Sequence, residues 1–248
     1  MYTPIVTIVI ATYNSERTIR TALQSVADQT FQEWECLVID GASTDGTVDA
    51  VKEFSSKDSR FRIISEPDKG IYDAFNKGWK NAKGEWIYYM GCDDRLLKDG
   101  LKSLMDVATS DYAVISGHVK TLRIDGSIGT WKSVGFGGCH QGKVTLKSAL
   151  QNIGGYNLKY TILADLDLYT RLNNCEYKVL NVDAYIAFFN KGGVSQNNSY
   201  IIKRYKERKC IYNENKSVRY PTLKAGYVST MEFAKNIVLS FMKFLKRA

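Results

Sequence analysis

Residues 6–47 read VTIVIATYNSERTIRTALQSVADQTFQEWECLVIDGASTDGT, and this stretch decides the fold. Val6–Thr12 is a short apolar, β-rich run that ends in the polar Tyr13-Asn14-Ser15. Ile19, Ala22, Leu23, Val26 and Ala27 then recur at i, i+3, i+4 and i+7, one face of a helix closing near Thr30. Glu35–Ile39 is a second strand that stops at Asp40-Gly41. Ser43–Thr47 is a turn with N-cap chemistry, leading into a helix through Val48, Val51 and Phe54.

Working outward, Phe61–Ile64 and Trp86–Met90 are further strands, and helices are expected over Ile71–Ala82 and near Lys98–Thr109. Strand alternates with helix across the first 110 residues, the pattern of a parallel sheet covered on both faces. Ligands of such sheets bind beyond the carboxyl ends of the strands. The polar clusters Thr12–Asn14, Asp40–Asp45, Asp68 and Asp93-Asp94 all fall at those ends. Beyond residue 110, Tyr112–Arg123 and Ser127–Trp131 form a hairpin about Asp125-Gly126. Gly135–Gly142 is a Gly-rich loop, Val144–Leu150 and Ala164–Asn174 read as helices, and Val179–Phe189 is strand-like. Tyr200–Asn213 and Ser229–Leu245 read as terminal helices. The expected fold class is α/β, a mostly parallel central sheet with helices on both faces, a small hairpin and C-terminal helices.

The 248 residues suit one generous domain or one domain with an appended segment, and 44% hydrophobic with 24% charged is ordinary for a globular chain. Five scattered cysteines, never spaced C-x-x-C, argue against a disulfide framework or a zinc site and for a reducing compartment. The N-terminal apolar run lacks a basic flank and a cleavage site, so it reads as a strand rather than a signal peptide. No run of ~18 apolar residues would span a membrane. The net charge of +8 is unevenly placed: Lys191–Ala248 carries thirteen bases against three acids, while the remainder is slightly acidic. A basic tail suits nucleic acid, an anionic membrane face or plain solvent.

Asp40 ends the second strand as the ribose-binding acid of a dinucleotide enzyme would. The first strand-to-helix turn, Ala11–Glu16, nevertheless contains no glycine, and no Walker A lysine loop occurs. A bound diphosphate would therefore need another neutralising group, and a divalent cation on carboxylates supplies one. Asp93-Asp94, directly after an apolar strand, offers hard oxygen ligands for Mg²⁺ or Mn²⁺. The same pair also suits a solvated turn or a helix N-cap.

Four segments in order, TIVIATYNSERTIRTALQSVADQT (residues 7–30), LVIDGASTDGT (37–47), SEPDKGIYDAFNKG (65–78) and YYMGCDDRL (88–96), resemble family 2 glycosyltransferases of the GT-A fold. The resemblance spans about residues 4–195 and implies a nucleotide-sugar donor, a divalent metal and inversion at the anomeric carbon. Carried over by position, Thr12, Tyr13 and Glu16 match the donor-nucleoside segment. Asp40 matches the acid that accepts a hydrogen bond from the base, most often uracil. Asp93 matches the ribose and metal-side acid and Asp94 the direct metal ligand, although Gly91 replaces the first acid of the family's D-x-D-D spelling. Asp45 is set aside as a helix cap. Asp40 is also compatible with an ordinary Asx turn.

Ala164-Asp165-Leu166-Asp167-Leu168 resembles the family's E-D-x-D-L segment, with Ala164 replacing the first acid. This makes Asp165 the catalytic base for the acceptor hydroxyl and leaves Asp167 as a support or a surface acid. An acid at Asp165 would also complement a helix dipole. Cys139-His140-Gln141-Gly142 resembles the acceptor-facing H-Q pair of some members, which makes His140 and Gln141 acceptor residues. Gly192–Ser195 resembles a small-residue loop that closes on the donor.

The expected organisation is a catalytic domain over 1–195, divided at 110 into nucleotide-binding and acceptor halves, and a basic helical extension over 196–248. Expected partners are a UDP-sugar or other nucleotide-sugar, a saccharide or lipid-linked acceptor, a second copy of the chain and, through 229–248, an anionic membrane surface. Nucleic acid is not among them, because no base-stacking or groove-reading module occurs. A cytoplasmic location, peripheral at the inner face of the plasma membrane, follows. The rival readings are a sugar nucleotidyltransferase, whose Gly-rich activation loop is missing, and a non-catalytic sugar-nucleotide-binding homologue.

Overall fold

The computed structural model describes residues 3–122, 126–190, 198–216 and 224–231. β1 (Val6–Thr12), α1 (Glu16–Ala27), β2 (Trp34–Asp40), α2 (Thr47–Ser55), β3 (Phe61–Ser65), α3 (Ile71–Asn81) and β4 (Trp86–Gly91) alternate as the periodicity predicts. β1 and β2 are buried along their whole lengths, which is why they read as nearly unbroken apolar runs. The apolar face of α1 buries Ile19, Ala22, Leu23 and Val26 against the sheet. α3 approaches β1 closely because Gly78 has no side chain: a Cβ there would stand 2.2 Å from Val9 Cγ1.

The second half adds β5 (Arg95–Leu96), α4 (Gly100–Met105), β6 (Val114–Leu122), β7 (Ile128–Trp131), a 3₁₀ turn at His140–Gly142, β8 (Lys143–Leu146), α5 (Lys147–Ile153), α6 (Ala164–Asn174), β9 (Val179–Asn190) and α7 (Ile201–Glu214). Among the described residues one sheet runs β3-β2-β1-β4-β8-β6-β9-β5, with β7 on β6. The four strands of the first half are parallel. The second half is mixed: β8 runs antiparallel to β4 and β6, and β9 parallel to β6. The expected hairpin is β6–β7.

Two expectations are corrected. Val144–Leu150 is not one helix, because Val144 and Thr145 complete the ladder between β4 and β6, and the helix begins only at Lys147. α4 is shorter than Lys98–Thr109. The helix over Ala164–Asn174 forms as expected.

Strand register lines the polar ends along one rim. Thr12 pairs with Asp40, Asp40 with Ser65, and Ala11 with Gly91. The segment that reads as an appended extension shares the core of the sheet, through Ile211 and Tyr212 on α7 and Ala225 in the helical residues 224–231. Most of the expected tail helix, and all of Gly192–Ser195, lie outside the described residues. Among the described residues no helix is long and apolar enough to cross a membrane. All five cysteines are free thiols.

Candidate active site

The turns after β1 and β2 hold each other in place. Asn14 N–H donates to Ser43 Oγ (2.8 Å), and Asn14 Oδ1 accepts from Thr44 N–H (2.9 Å). Ser15 N–H donates to Thr47 Oγ1 (2.7 Å) and Glu16 N–H to Asp45 Oδ2 (3.1 Å). Glu16 Oε2 accepts from Gly46 N–H (3.3 Å), so this expected donor residue serves here to brace the α2 turn. Asp45 also accepts from Thr47 N–H, which makes it a turn brace just before the helix, whose N-cap is Gly46 and not the expected Asp45. Thr12 is buried at the strand end, while the Tyr13 ring projects into solvent, 62% exposed.

Asp40 is fully buried. Its Oδ2 accepts from Ser43 N–H (2.9 Å) and Ser65 Oγ–H (2.6 Å), and its Oδ1 from Ser43 Oγ–H (2.5 Å). The local bond runs to the N–H three residues on, so it braces the turn after β2 without forming the two-residue Asx turn. A carboxylate offers about four acceptor positions, so Oδ1 keeps one open. Gly41 beside it is enclosed by Asp68 and Tyr13: a Cβ there would lie 2.8 Å from Asp68 Oδ2 and 3.3 Å from Tyr13 Cδ2.

The acidic pair after β4 divides by environment. Asp93 is exposed. Asp94 is buried, with Oδ2 accepting from Gly91 N–H (3.2 Å) and Gln141 Nε2–H (2.9 Å), and Oδ1 from Asn190 N–H (2.9 Å). Desolvation first, and the neighbouring Asp93 charge second, push the Asp94 carboxyl up to about 6, against the hydrogen bonds from Asn190 and Gln141. Among the described residues no group of three or more His, Cys, Asp or Glu side chains forms a ready-made metal cage. Mg²⁺ and Mn²⁺ commonly take only one or two carboxylates and fill their shells with phosphate oxygens and water. An exposed Asp93 beside an Asp94 Oδ1 with one acceptor position left fits that pattern. The sequence reading made Asp94 the direct ligand; the open carboxylate is Asp93.

One short turn joins this acid pair to the expected base. Gln141 binds Asp94, and the adjacent His140 brings Nδ1 to 3.5 Å from Asp165 Oδ2. Gln141 is buried with Nε2–H on Asp94 and Oε1 accepting from the Cys139 thiol, so it braces the turn rather than facing an acceptor. Asp165 sits in the first turn of α6, and Leu166 N–H donates to its Oδ1 (2.8 Å). Burial pushes its carboxyl up, but the His140 hydrogen bond and charge, the Leu166 N–H and the Lys143 charge outweigh burial and hold it below its ordinary value. Asp167 points away into the core, where it accepts from Arg171 Nε–H (2.7 Å) and Asn215 Nδ2–H (3.3 Å). It is a support, not a surface acid.

Asp68, which the strand-end pattern already sets on the rim, packs beside Gly41. Two further residues of the site carry no sequence signal. Asn190 donates its side-chain amide to Asp93 O and its N–H to Asp94 Oδ1. Lys143, 1% exposed, donates to Phe136 O (2.7 Å) and lies 4.2 Å from the Tyr169 ring centroid. Only the long-range pairing of β8 and β9 brings these last two to the rim, and no local pattern announces it.

Residues 7–172 match glycosyl transferase family 2. A PGL/p-HBAD biosynthesis glycosyltransferase of Mycobacterium tuberculosis is 30% identical over 226 residues, covering 84% of this chain and 85% of that one. Among solved structures, S. aureus TarS (residues 1–349) in complex with UDP-GlcNAc superposes with a TM-score of 0.67 at 20% identity, over 84% of this chain and 66% of that chain. The mannosyltransferase PcManGT from Pyrobaculum calidifontis, in complex with GDP-Man and Mn²⁺, superposes with a TM-score of 0.65 at 16% identity, over 100% of this chain and 81% of that one. These likenesses establish a GT-A-like fold.

Proposed function

This chain belongs to glycosyl transferase family 2 and is a glycosyltransferase; from that premise we propose that it moves a sugar from a UDP-sugar to a hydroxyl of a saccharide or lipid-linked saccharide, with inversion at the anomeric carbon. The observation that carries the reading is the His140-Gln141 turn, whose two adjacent side chains reach Asp165 and Asp94. A base and a diphosphate-side acid are thereby set at the two ends of one short, buried link.

In this reading Asp165 takes the proton of the acceptor hydroxyl as its oxygen bonds to the anomeric carbon and the bond to the diphosphate breaks. His140, beside it, faces the acceptor. Thr12, Tyr13 and Glu16 belong to the nucleoside side, and Asp40 reads the imide N–H of uracil once the Ser43 turn that covers its buried Oδ1 moves aside. Asp93 and Asp94 would hold Mn²⁺ or Mg²⁺, and such an ion would supply positive charge against the diphosphate. UDP as the donor nucleotide is supported by the UDP-GlcNAc complex of the S. aureus relative. The catalytic residues lie within 1–195, α7 of the segment 196–248 packs into the same core, and the basic end of that segment meets the anionic inner face of the plasma membrane.

The test is to incubate the protein with UDP-, GDP- and dTDP-sugars and Mn²⁺, follow nucleotide release, and read the product's anomeric configuration by NMR. UDP release with a β-linked product from an α-linked donor is expected. An α-linked product overturns inversion, and release of GDP or dTDP alone overturns the donor assignment.

A further inference from the structure

Glu207 lies on α7, outside residues 7–172 that match the family. It is 8% exposed, and its carboxylate accepts four hydrogen bonds from one short segment. Oε1 takes Thr161 N–H (3.0 Å) and Thr161 Oγ1–H (3.2 Å); Oε2 takes Ile162 N–H (3.1 Å) and Leu163 N–H (2.9 Å). Leu163 is the N-cap residue of α6 and its side chain provides no cap. Three successive backbone donors entering the helix are thus satisfied by one carboxylate from elsewhere in the chain, where a negative charge also favours the helix N-terminus.

The segment is fixed from its other side as well. Tyr72 of α3 donates its hydroxyl to Ile162 O (2.8 Å). Around Glu207, α7 makes further ties to the same region: Glu214 accepts from the Tyr160 hydroxyl (2.6 Å), and Asn215, just past the helix, donates to Asp167. Asp165 stands two residues beyond Leu163, so the direction in which the chain enters α6 decides where its carboxylate points.

We propose that Glu207 is a positioning residue for the base: it holds Thr161–Leu163 so that Asp165 Oδ2 meets His140 and the incoming hydroxyl. The helix beyond the family-matched residues therefore completes the active site. This inference rests on Asp165 being the base.

Glu207→Gln tests it. One amide oxygen still accepts, but the NH₂ group faces donors, so about half of the four bonds are lost. A misplacement of the base by about 1 Å costs turnover up to ~10²-fold. The expected result is a kcat lowered by about 10- to 100-fold, with donor KM and calorimetric UDP affinity unchanged and partial recovery in Glu207→Asp. A purely structural brace would lower the melting temperature and leave kcat per folded molecule as in the wild type, which overturns the proposal. Should Glu207→Gln not fold, hydrogen exchange of the wild-type chain decides. Thr161, Ile162 and Leu163 amides as protected as those of α6 support the clamp, and loop-like exchange overturns it. Asp165→Asn separates the two readings. Full turnover in that variant removes the base assignment itself, whereas an inactive Asp165→Asn with wild-type kcat in Glu207→Gln removes only the role of Glu207.

Discussion

His140 Nδ1 stands 3.5 Å from Asp165 Oδ2, so the turn that grips the acid pair also sets the charge of the base. Burial alone would raise the Asp165 carboxyl, and the hydrogen bond and charge of His140 are the largest influences opposing it. Asp94, at about 6, already protonates above the range of Asp165, so the coupling is read on the Asp165 carboxyl itself, by NMR titration, and not on turnover. Its midpoint lies below the ordinary carboxylate value. Removing the imidazole in His140→Ala leaves burial less opposed and moves that midpoint to higher pH, and an unmoved midpoint would contradict the coupling.

The acid pair gives a second expectation. Mn²⁺ should add stability to the UDP-bound protein, where a ligand at one hundred times its dissociation constant contributes ~2.7 kcal/mol. Asp93→Asn should abolish that increment with little change in the melting temperature of the free protein, because Asp93 is exposed. Asp94→Asn should lose the increment and also about 1–3 kcal/mol of intrinsic stability, since its amide would oppose the donors Gln141, Asn190 or Gly91. Thermal-shift curves with and without Mn²⁺ decide it; an undiminished increment in Asp93→Asn assigns the metal elsewhere.

The difference between these two acids marks how far the sequence alone reaches. Periodicity placed β1 to β4 and their helices, because each is decided by a local apolar pattern, and strand ends then gave the rim. Asp45 before α2, Asp40 in its turn and Asp165 in the first turn of α6 are local chemistry too. Which of Asp93 and Asp94 is buried is not local: Gln141 and Asn190 decide it, from 47 and 96 residues away. Val144–Leu150 reads as one helix for the same reason, since the strand signal at Val144–Leu146 is only the partner strands on either side. Glu207 is the extreme case, an acid in a basic, polar-looking helix whose four donors lie 44 to 46 residues upstream.

Lys143 supplies a stability prediction with a definite sign. Desolvation lowers its ammonium to about 8, with the Asp165 charge pulling the other way. Below pH 8 it is charged both folded and unfolded, and the folded state bears the full desolvation cost. Between about 8 and the ordinary lysine value the unfolded chain binds more protons, so this group makes stability rise with pH. Lys143→Met removes the cost and should be more stable than the wild type at pH 7 by up to about 3 kcal/mol, less whatever the lost bond to Phe136 O contributes. The gap should narrow as pH passes 8 towards 10. Urea denaturation at pH 7 and pH 9.5 checks it, and a gap that does not narrow contradicts a buried, titrating lysine.

The two acids at the start of α6 allow the sharpest comparison. Asp165 and Asp167 are two residues apart, so they do not share a helix face. Asp165 meets His140 and keeps 29% of its side chain exposed, whereas Asp167 is buried against Arg171 and Asn215. Asp165→Asn keeps the shape of the carboxylate but cannot take a proton at neutral pH. Turnover should fall by ~10²–10⁴-fold, the usual share of general base catalysis, with UDP affinity, metal response and melting temperature close to wild type. Asp167→Ala leaves the Arg171 guanidinium without its carboxylate in a mostly buried site, although Arg171 still donates to Ile153 O and Gly155 O. Breaking such a pair costs roughly 3 kcal/mol, so the melting temperature should drop while kcat per folded molecule is retained. The two variants thus separate along independent axes, activity for one and stability for the other. Exchange of those two outcomes would place the base at Asp167, and near-normal turnover in both would leave His140 as the next side chain to substitute.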